Sequence, residues 1–168
     1  MKTFILLSAI PGSGKSTWAK RYVSEHPGTR IVSSDDLRIE FGGKPNNFDH
    51  EDEVWKAFMD RIHEYGKEDG STVIADATMI NNKFRKLYAT NTPEFDRRIL
   101  VVFDIPLEIC LFQNKMREPN RIVPEYALRK MWNDFEKPNE EIISLYDEVI
   151  TVTQKFVSQE YKDSQGDK

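Results

Sequence analysis

Two glycines, one residue apart in a short loop, constrain this chain more than any other feature. Residues 9–17 read Ala9-Ile10-Pro11-Gly12-Ser13-Gly14-Lys15-Ser16-Thr17 and follow the apolar run 3–8 (TFILLS) directly. The common phosphate-cradling pattern is G-x-x-x-x-G-K-[ST], and here Ala9 stands at its first glycine position. Gly12 and Gly14 still leave the backbone free to turn its N–H groups onto an anion. A helical pattern follows at once, and its N-terminus offers the same anion the positive end of a dipole. Strand, loop and helix in that order are the setting the motif requires. Gly12, Ser13, Gly14, Lys15, Ser16 and Thr17 are therefore expected to bind ATP or another nucleoside triphosphate. In that reading Lys15 reaches the β and γ phosphates and the Ser16 hydroxyl holds Mg²⁺.

The rest of the chain repeats the alternation that begins there. Short apolar runs at 3–8, 30–33, 72–75, 98–103 and 148–152 read as strands. Amphipathic stretches separate them, which predicts an α/β fold with a parallel sheet covered by helices. One helix is expected over 15–25, with Trp18, Ala19, Tyr22 and Val23 on one face, and it stops at Pro27-Gly28. Asp49 is expected to cap a helix from 50 to about 66, lined by Val54, Phe58, Ile62 and Tyr65. Pro106 and Pro124 can start two more. Residues 42–49 and 117–123 read as loops. The 168 residues suffice for one domain, placed at 1–157, with a polar, frayed tail at 158–168.

The opening Met1–Leu7 is too short an apolar run for a signal peptide and leads straight into the loop, so a buried strand is the better reading. No stretch approaches the roughly 20 apolar residues of a membrane span, so no membrane association is expected. The single cysteine, Cys110, excludes an internal disulfide and a cysteine metal cluster. It fits a reduced, cytoplasmic setting.

A phosphate cradle alone does not separate a kinase from a hydrolase or a switch. The carboxyl ends of parallel strands, where ligands sit, carry more information. After the second strand comes Ser34-Asp35-Asp36-Leu37-Arg38. Asp35 and Arg38, three apart, share a helix face. A carboxylate there can take the proton of an attacking hydroxyl while the arginine holds an anion on the acceptor. The same residues also suit a helix cap with an ordinary ion pair, and sequence alone weighs the two evenly. The third strand ends in Asp76-Ala77-Thr78, with Asn81 and Arg85 beyond. Asp76 is suited to hold a Mg²⁺ water or orient the acceptor, or else to cap the next helix. The chain has a net charge of −4, so phosphate binding demands local positive charge. It is found over residues 113–130, where Lys115, Arg117, Arg121, Arg129 and Lys130 face Glu118 and Glu125. Arginines closing over a triphosphate would neutralise charge and exclude water; a solvated basic loop is the plainer alternative.

Taken in order, these motifs resemble the kinase module of the polynucleotide 5′-hydroxyl kinase family. The resemblance runs over roughly 3–138. It rests on Pro-Gly-Ser-Gly-Lys-Ser-Thr-Trp at 11–18, Ser-Asp-Asp-x-Arg at 34–38 and Asp-Ala-Thr at 76–78 with Asn81 and Arg85. Val-Phe-Asp-x-Pro at 102–106, Asn-x-x-Arg at 114–117 and Arg-x-Val-Pro at 121–124 complete it. It implies a three-layer P-loop kinase fold with about five parallel strands, helices on both faces and a small lid at about 113–123. It implies ATP and Mg²⁺ at Lys15 and Ser16, Asp35 as general base toward a 5′-hydroxyl, and Arg38 on the phosphate next to the accepting nucleoside. Arg117 and Arg121 would be lid arginines on the ATP phosphates. Lys15, Asp35, Arg38 and Arg117 would be catalytic, and Asp76, Thr78 and Arg85 would join Asp35 and Arg38 on the substrate side. The acceptor would be a 5′-hydroxyl nucleic acid end, and relatives can form homo-oligomers. Two departures stand out. Gln113 occupies a position where the family often has arginine, and no Asp-x-Asp-Gly-Thr phosphatase motif is present. Related P-loop enzymes phosphorylate small metabolites or nucleotide sugars, which is the alternative reading.

Overall fold

The computed structural model describes residues 1–153. The expected tail at 158–168, and the last residues of the domain expected at 1–157, lie outside them. Five strands form one sheet: β1 (Thr3–Ser8), β2 (Arg30–Ser33), β3 (Thr72–Asp76), β4 (Arg97–Phe103) and β5 (Glu148–Val152). Their order is β2-β3-β1-β4-β5 and every pairing is parallel. Each crossover carries helix: α1 (Lys15–Glu25), α2 (Ser34–Gly42), α3 (Glu51–Tyr65), α4 (Asn82–Thr90), α5 (Leu107–Lys115), α6 (Glu125–Asp134) and α7 (Glu140–Leu145). A single 3₁₀ turn, Pro119–Arg121, interrupts the link from α5 to α6.

The sheet is covered on both faces, so its strands read as continuous apolar runs. Alternate residues of β1 serve different layers. Phe4 and Leu6 join Leu100 and Val102 of β4 under α3, α4 and α7, through Val54, Phe58, Tyr88 and Ile142. Ile5 and Leu7 join Ile99, Val101 and Phe103 under α1, α5 and α6, through Ala19, Ile109, Cys110 and Leu128. Phe4, Ile5, Leu6 and Leu7 are wholly buried. This is the expected three-layer arrangement, with all five strands where the apolar runs placed them.

Some local expectations change. Asp49 does not cap α3; His50 holds that position without a side-chain bond, and the Asp49 N–H is taken by Asn47 Oδ1 at 2.9 Å. The cap of α2 is neither Ser34 nor Asp35 but Ser33, whose hydroxyl accepts from the Asp36 N–H at 3.3 Å. Asn81 caps α4 through the Phe84 N–H at 2.9 Å, which leaves Asp76 free of capping duty. Among the described residues no helix is long and apolar enough to cross a membrane. The strand order reverses at β1, with β3 on one side and β4 on the other. The loop after β1 therefore opens at the switch point where ligands of such sheets bind.

Candidate active site

Gly12 and Gly14 adopt φ of +83° and +90°, the left-handed region that L side chains avoid. At Gly12 space is a second constraint, since a Cβ there would lie 2.2 Å from the Cys110 carbonyl oxygen. The loop is thus pressed against α5. Gln113 Nε2 donates to the Gly12 carbonyl at 2.6 Å, and Ser13 Oγ closes the turn onto the Ile10 carbonyl at 2.7 Å. Where the family resemblance calls for a cation, Gln113 ties the lid helix to the phosphate loop. Gly14 caps α1 without a side chain, so the first N–H groups of that helix are left for an anion. Ser16 and Thr17 are exposed on that first turn. Thr78 lies beside the loop, its carbonyl accepting the Ala9 N–H at 2.8 Å.

Two clusters of charge converge on this loop. In the first, Lys15 Nζ stands 3.6 Å from Asp76 Oδ1 at the end of β3. That distance makes an ion pair but not a hydrogen bond, and the buried Oδ1 has no hydrogen-bond partner among the described residues. Burial pushes the Asp76 carboxyl above its ordinary range; the Lys15 charge opposes this, and the carboxylates of Asp35 and Asp36 add to it. A buried carboxylate oxygen without a hydrogen-bond partner and an exposed serine hydroxyl are both groups that suit Mg²⁺. That ion keeps several waters and needs only one or two protein groups besides the phosphates. Ser16 would hold it directly and Asp76 would hold one of its waters. Among the described residues no group of three or more His, Cys, Asp or Glu side chains forms a metal cluster, and this mode requires none.

The second cluster centres on Asp35. Its Oδ1 meets Arg38 Nη1 at 3.1 Å, and its Oδ2 lies 3.4 Å from Arg121 Nη1 and 3.6 Å from Arg117 Nη2. Arg38 is held from the other side by Glu51 of α3, Nε to Oε1 at 2.9 Å. Its guanidinium also lies over the rings of Phe48 and Trp55, at 4.9 and 5.7 Å. The ion pair that the sequence allowed is real, but it belongs to a junction of three arginines on one carboxylate. Arg117 and Arg121 come from the segment between α5 and α6, which Asn114 pins shut. Its amide donates to the Val123 carbonyl at 2.7 Å and accepts the Val123 N–H at 3.0 Å. Burial pulls the Arg117 pKa down, while Asp35 raises it and Arg121 lowers it further. Arg117 and Arg121 are therefore drawn onto Asp35 rather than left in solvent.

Arg85 requires a correction. It was expected on the substrate side, yet its side chain is wholly buried. Nε and Nη2 donate to Ser8 Oγ at 3.2 and 2.8 Å; Nη1 donates to Asn82 Oδ1 at 2.8 Å and to the Glu136 carbonyl at 2.7 Å. Its guanidinium packs on Phe135 at 5.4 Å. Burial lowers its pKa to about 10. Arg85 is an internal brace between β1, α4 and the segment after α6. Sequence reasoning also passed over Glu51, Phe48 and the roles of Asn114 and Gln113. Two of these carried a signal, Asn114 as the first residue of the Asn-x-x-Arg motif and Gln113 as a departure from the family pattern.

A protein-family profile, AAA_33, described as an AAA domain, matches residues 5–138. Solved structures share the fold. A chain of the Pnkp1/Rnl/Hen1 RNA repair complex aligns with a TM-score of 0.68 at 20% identity, covering 79% of this chain and 43% of its own. This chain thus spans less than half of that relative. A fungal RNA kinase aligns with a TM-score of 0.67 at 15% identity, over 95% of this chain and 76% of its own. A gluconokinase from Sinorhizobium meliloti 1021 aligns with a TM-score of 0.61 at 18% identity, over 94% and 83%. The architecture is that of the P-loop kinases, whose fold binds nucleotides.

Proposed function

The chain belongs to the AAA_33 family of AAA domains, and from that premise we propose that it is an ATP-dependent kinase. Its acceptor in this reading is the 5′-hydroxyl end of DNA or RNA. One observation supports the reading: Asp35 meets three arginines, Arg38 braced by Glu51 on one carboxylate oxygen and Arg117 and Arg121 on the other, which we read as the acceptor side and the lid. The 5′-hydroxyl oxygen attacks the γ phosphorus as its proton passes to Asp35, and the bond from that phosphorus to the β–γ bridging oxygen breaks to release ADP. Lys15, Arg117 and Arg121 neutralise the charge on the transferred group; Mg²⁺ would be held by the Ser16 hydroxyl, with Asp76 on one of its waters, and would supply further charge neutralisation. Arg38 keeps Nε and Nη1 on Glu51 and Asp35, so its Nη2 is the arm that meets the acceptor phosphate. Transfer to a small metabolite is the second reading, favoured by the gluconokinase that shares the fold.

One experiment separates them. The protein is incubated with γ-labelled ATP and Mg²⁺ together with a 5′-hydroxyl oligonucleotide, its 5′-phosphorylated counterpart, or gluconate. Label is expected on the 5′-hydroxyl strand alone. No label on the oligonucleotide, with ATP binding intact, refutes the proposal, and label on gluconate establishes the second reading.

A further inference from the structure

Phe48 is 61% exposed, an unusual position for a phenylalanine inside an otherwise braced loop. The loop between α2 and α3 is pinned by Asn47. Its amide donates to the Gly42 carbonyl at 3.0 Å, its Oδ1 accepts the Asp49 N–H at 2.9 Å, and its own N–H reaches the Lys44 carbonyl at 3.2 Å. Gly42 makes this closeness possible, since a Cβ there would sit 2.8 Å from Asn47 Cγ. The result is a ring held in solvent beside Arg38, whose guanidinium it overlies at 4.9 Å. Arg38 in turn is 3.1 Å from Asp35.

The geometry points to Phe48 as the stacking platform for a nucleobase of the acceptor. The inference rests on the polynucleotide-kinase reading and narrows it. Hydroxyl, phosphate and base of a nucleotide would meet Asp35, Arg38 and Phe48 in turn, three groups contiguous through the Arg38 guanidinium. Every base has a π face, so an exposed aromatic ring next to a phosphate-holding arginine binds single strands with little regard to sequence. A sugar acid has no such face and gains nothing from the ring. Phe48 thereby selects a nucleic acid over a polyol at a site whose charged groups would serve either. The exposed ring also suits a chain of net charge −4, because stacking supplies affinity that does not depend on backbone electrostatics.

The test is a cycle between the ring and the base. Steady-state transfer from ATP is measured for the wild type, Phe48→Ala and Phe48→Tyr. Acceptors are a 5′-hydroxyl tetranucleotide and versions lacking the base at its first or second nucleotide. Phe48→Ala is expected to raise the acceptor KM roughly 5- to 150-fold, the range for one lost base–aromatic stack, and Phe48→Tyr to restore it. One of the abasic acceptors should impair the wild type to a similar degree and impair Phe48→Ala no further. An unchanged acceptor KM, or equal losses for Phe48→Ala on intact and both abasic acceptors, overturns the stacking role and leaves the kinase reading standing. A wild type that labels no 5′-hydroxyl strand at all overturns both.

Discussion

Replacing Arg85 by alanine should destabilise the fold without touching acceptor recognition. The guanidinium makes four hydrogen bonds to three acceptors: the buried Ser8 hydroxyl, the Asn82 amide and the Glu136 carbonyl. A hydrogen bond from a charged donor is worth about 1.5–3 kcal/mol net. The sum is offset by the cost of keeping a guanidinium out of water, which also draws its pKa to about 10. Ser8 keeps its own donor bond to the Met79 carbonyl, at 2.7 Å, but loses its donor partners. Deletion also leaves a void beside Phe135. Together these set the loss at about 3–5 kcal/mol, the range for removing one partner of a buried charged network. At roughly 2–4 °C per kcal/mol for a domain of this size, Tm falls by roughly 6–20 °C. Lysine should recover part of it, because one ammonium cannot reach Ser8, Asn82 and Glu136 at once. The assay is circular dichroism melting, paired with acceptor KM at a temperature where the variant is folded. A Tm within about 2 °C of the wild type, with a raised acceptor KM, would refute the brace and return Arg85 to the substrate side.

Three further outcomes follow from the same contacts. Asp35→Asn should lower transfer by roughly 10²–10⁴-fold, the usual span for a positioned general base, with ATP affinity by calorimetry retained; near-normal turnover would remove Asp35 from that role. Gly12→Ala should abolish ATP binding and lower stability. Its φ of +83° is strained for alanine and its methyl would strike the Cys110 carbonyl, so wild-type affinity would contradict the close packing of the loop on α5. Burial raises the Cys110 thiol and the Tyr88 phenol each to about 12, and raises Tyr146 as well. In the alkaline range the folded chain thus keeps protons that the unfolded chain gives up, so stability should fall as pH climbs from 9 toward 12. Urea midpoints at pH 8, 9.5 and 10.5 should decline in that order, and Cys110 should resist thiol reagents at pH 8 until the protein unfolds; a flat midpoint would contradict the burial of these groups.

Much of the architecture was legible because it is written locally. Each strand of a doubly covered parallel sheet must be apolar on both faces, so β1 and β4 announce themselves as unbroken runs. The phosphate loop is equally local: positive φ at Gly12 and Gly14 is a property of those residues. The caps were less legible. Ser33, Ser34 and Asp35 are three adjacent candidates, and which one caps α2 depends on where β2 ends.

The site is a mixed case. Its ingredients, Lys15, Asp35, Arg38, Asp76, Arg117 and Arg121, could be named from the sequence, because charged residues at strand ends and in a basic segment stand out against an acidic chain. Their arrangement could not. Asp35 and Arg121 are 86 positions apart, and they meet through the strand order and through Asn114 folding the segment between α5 and α6 back on itself. Arg38 and Arg85 make the contrast plain, since each follows a strand-end aspartate on the next helix. Arg38 faces the strand ends between Asp35, Glu51 and Phe48, whereas Arg85 is enclosed by Ser8, Asn82, Phe135 and the Glu136 carbonyl. What the sequence determined by itself was the sheet and the phosphate loop, because backbone preference and apolar patterning are set by near neighbours. What only the tertiary structure decided was which charges gather around Asp35 and which are sealed inside. Desolvation depends on atoms brought from distant parts of the chain, and no local pattern records them.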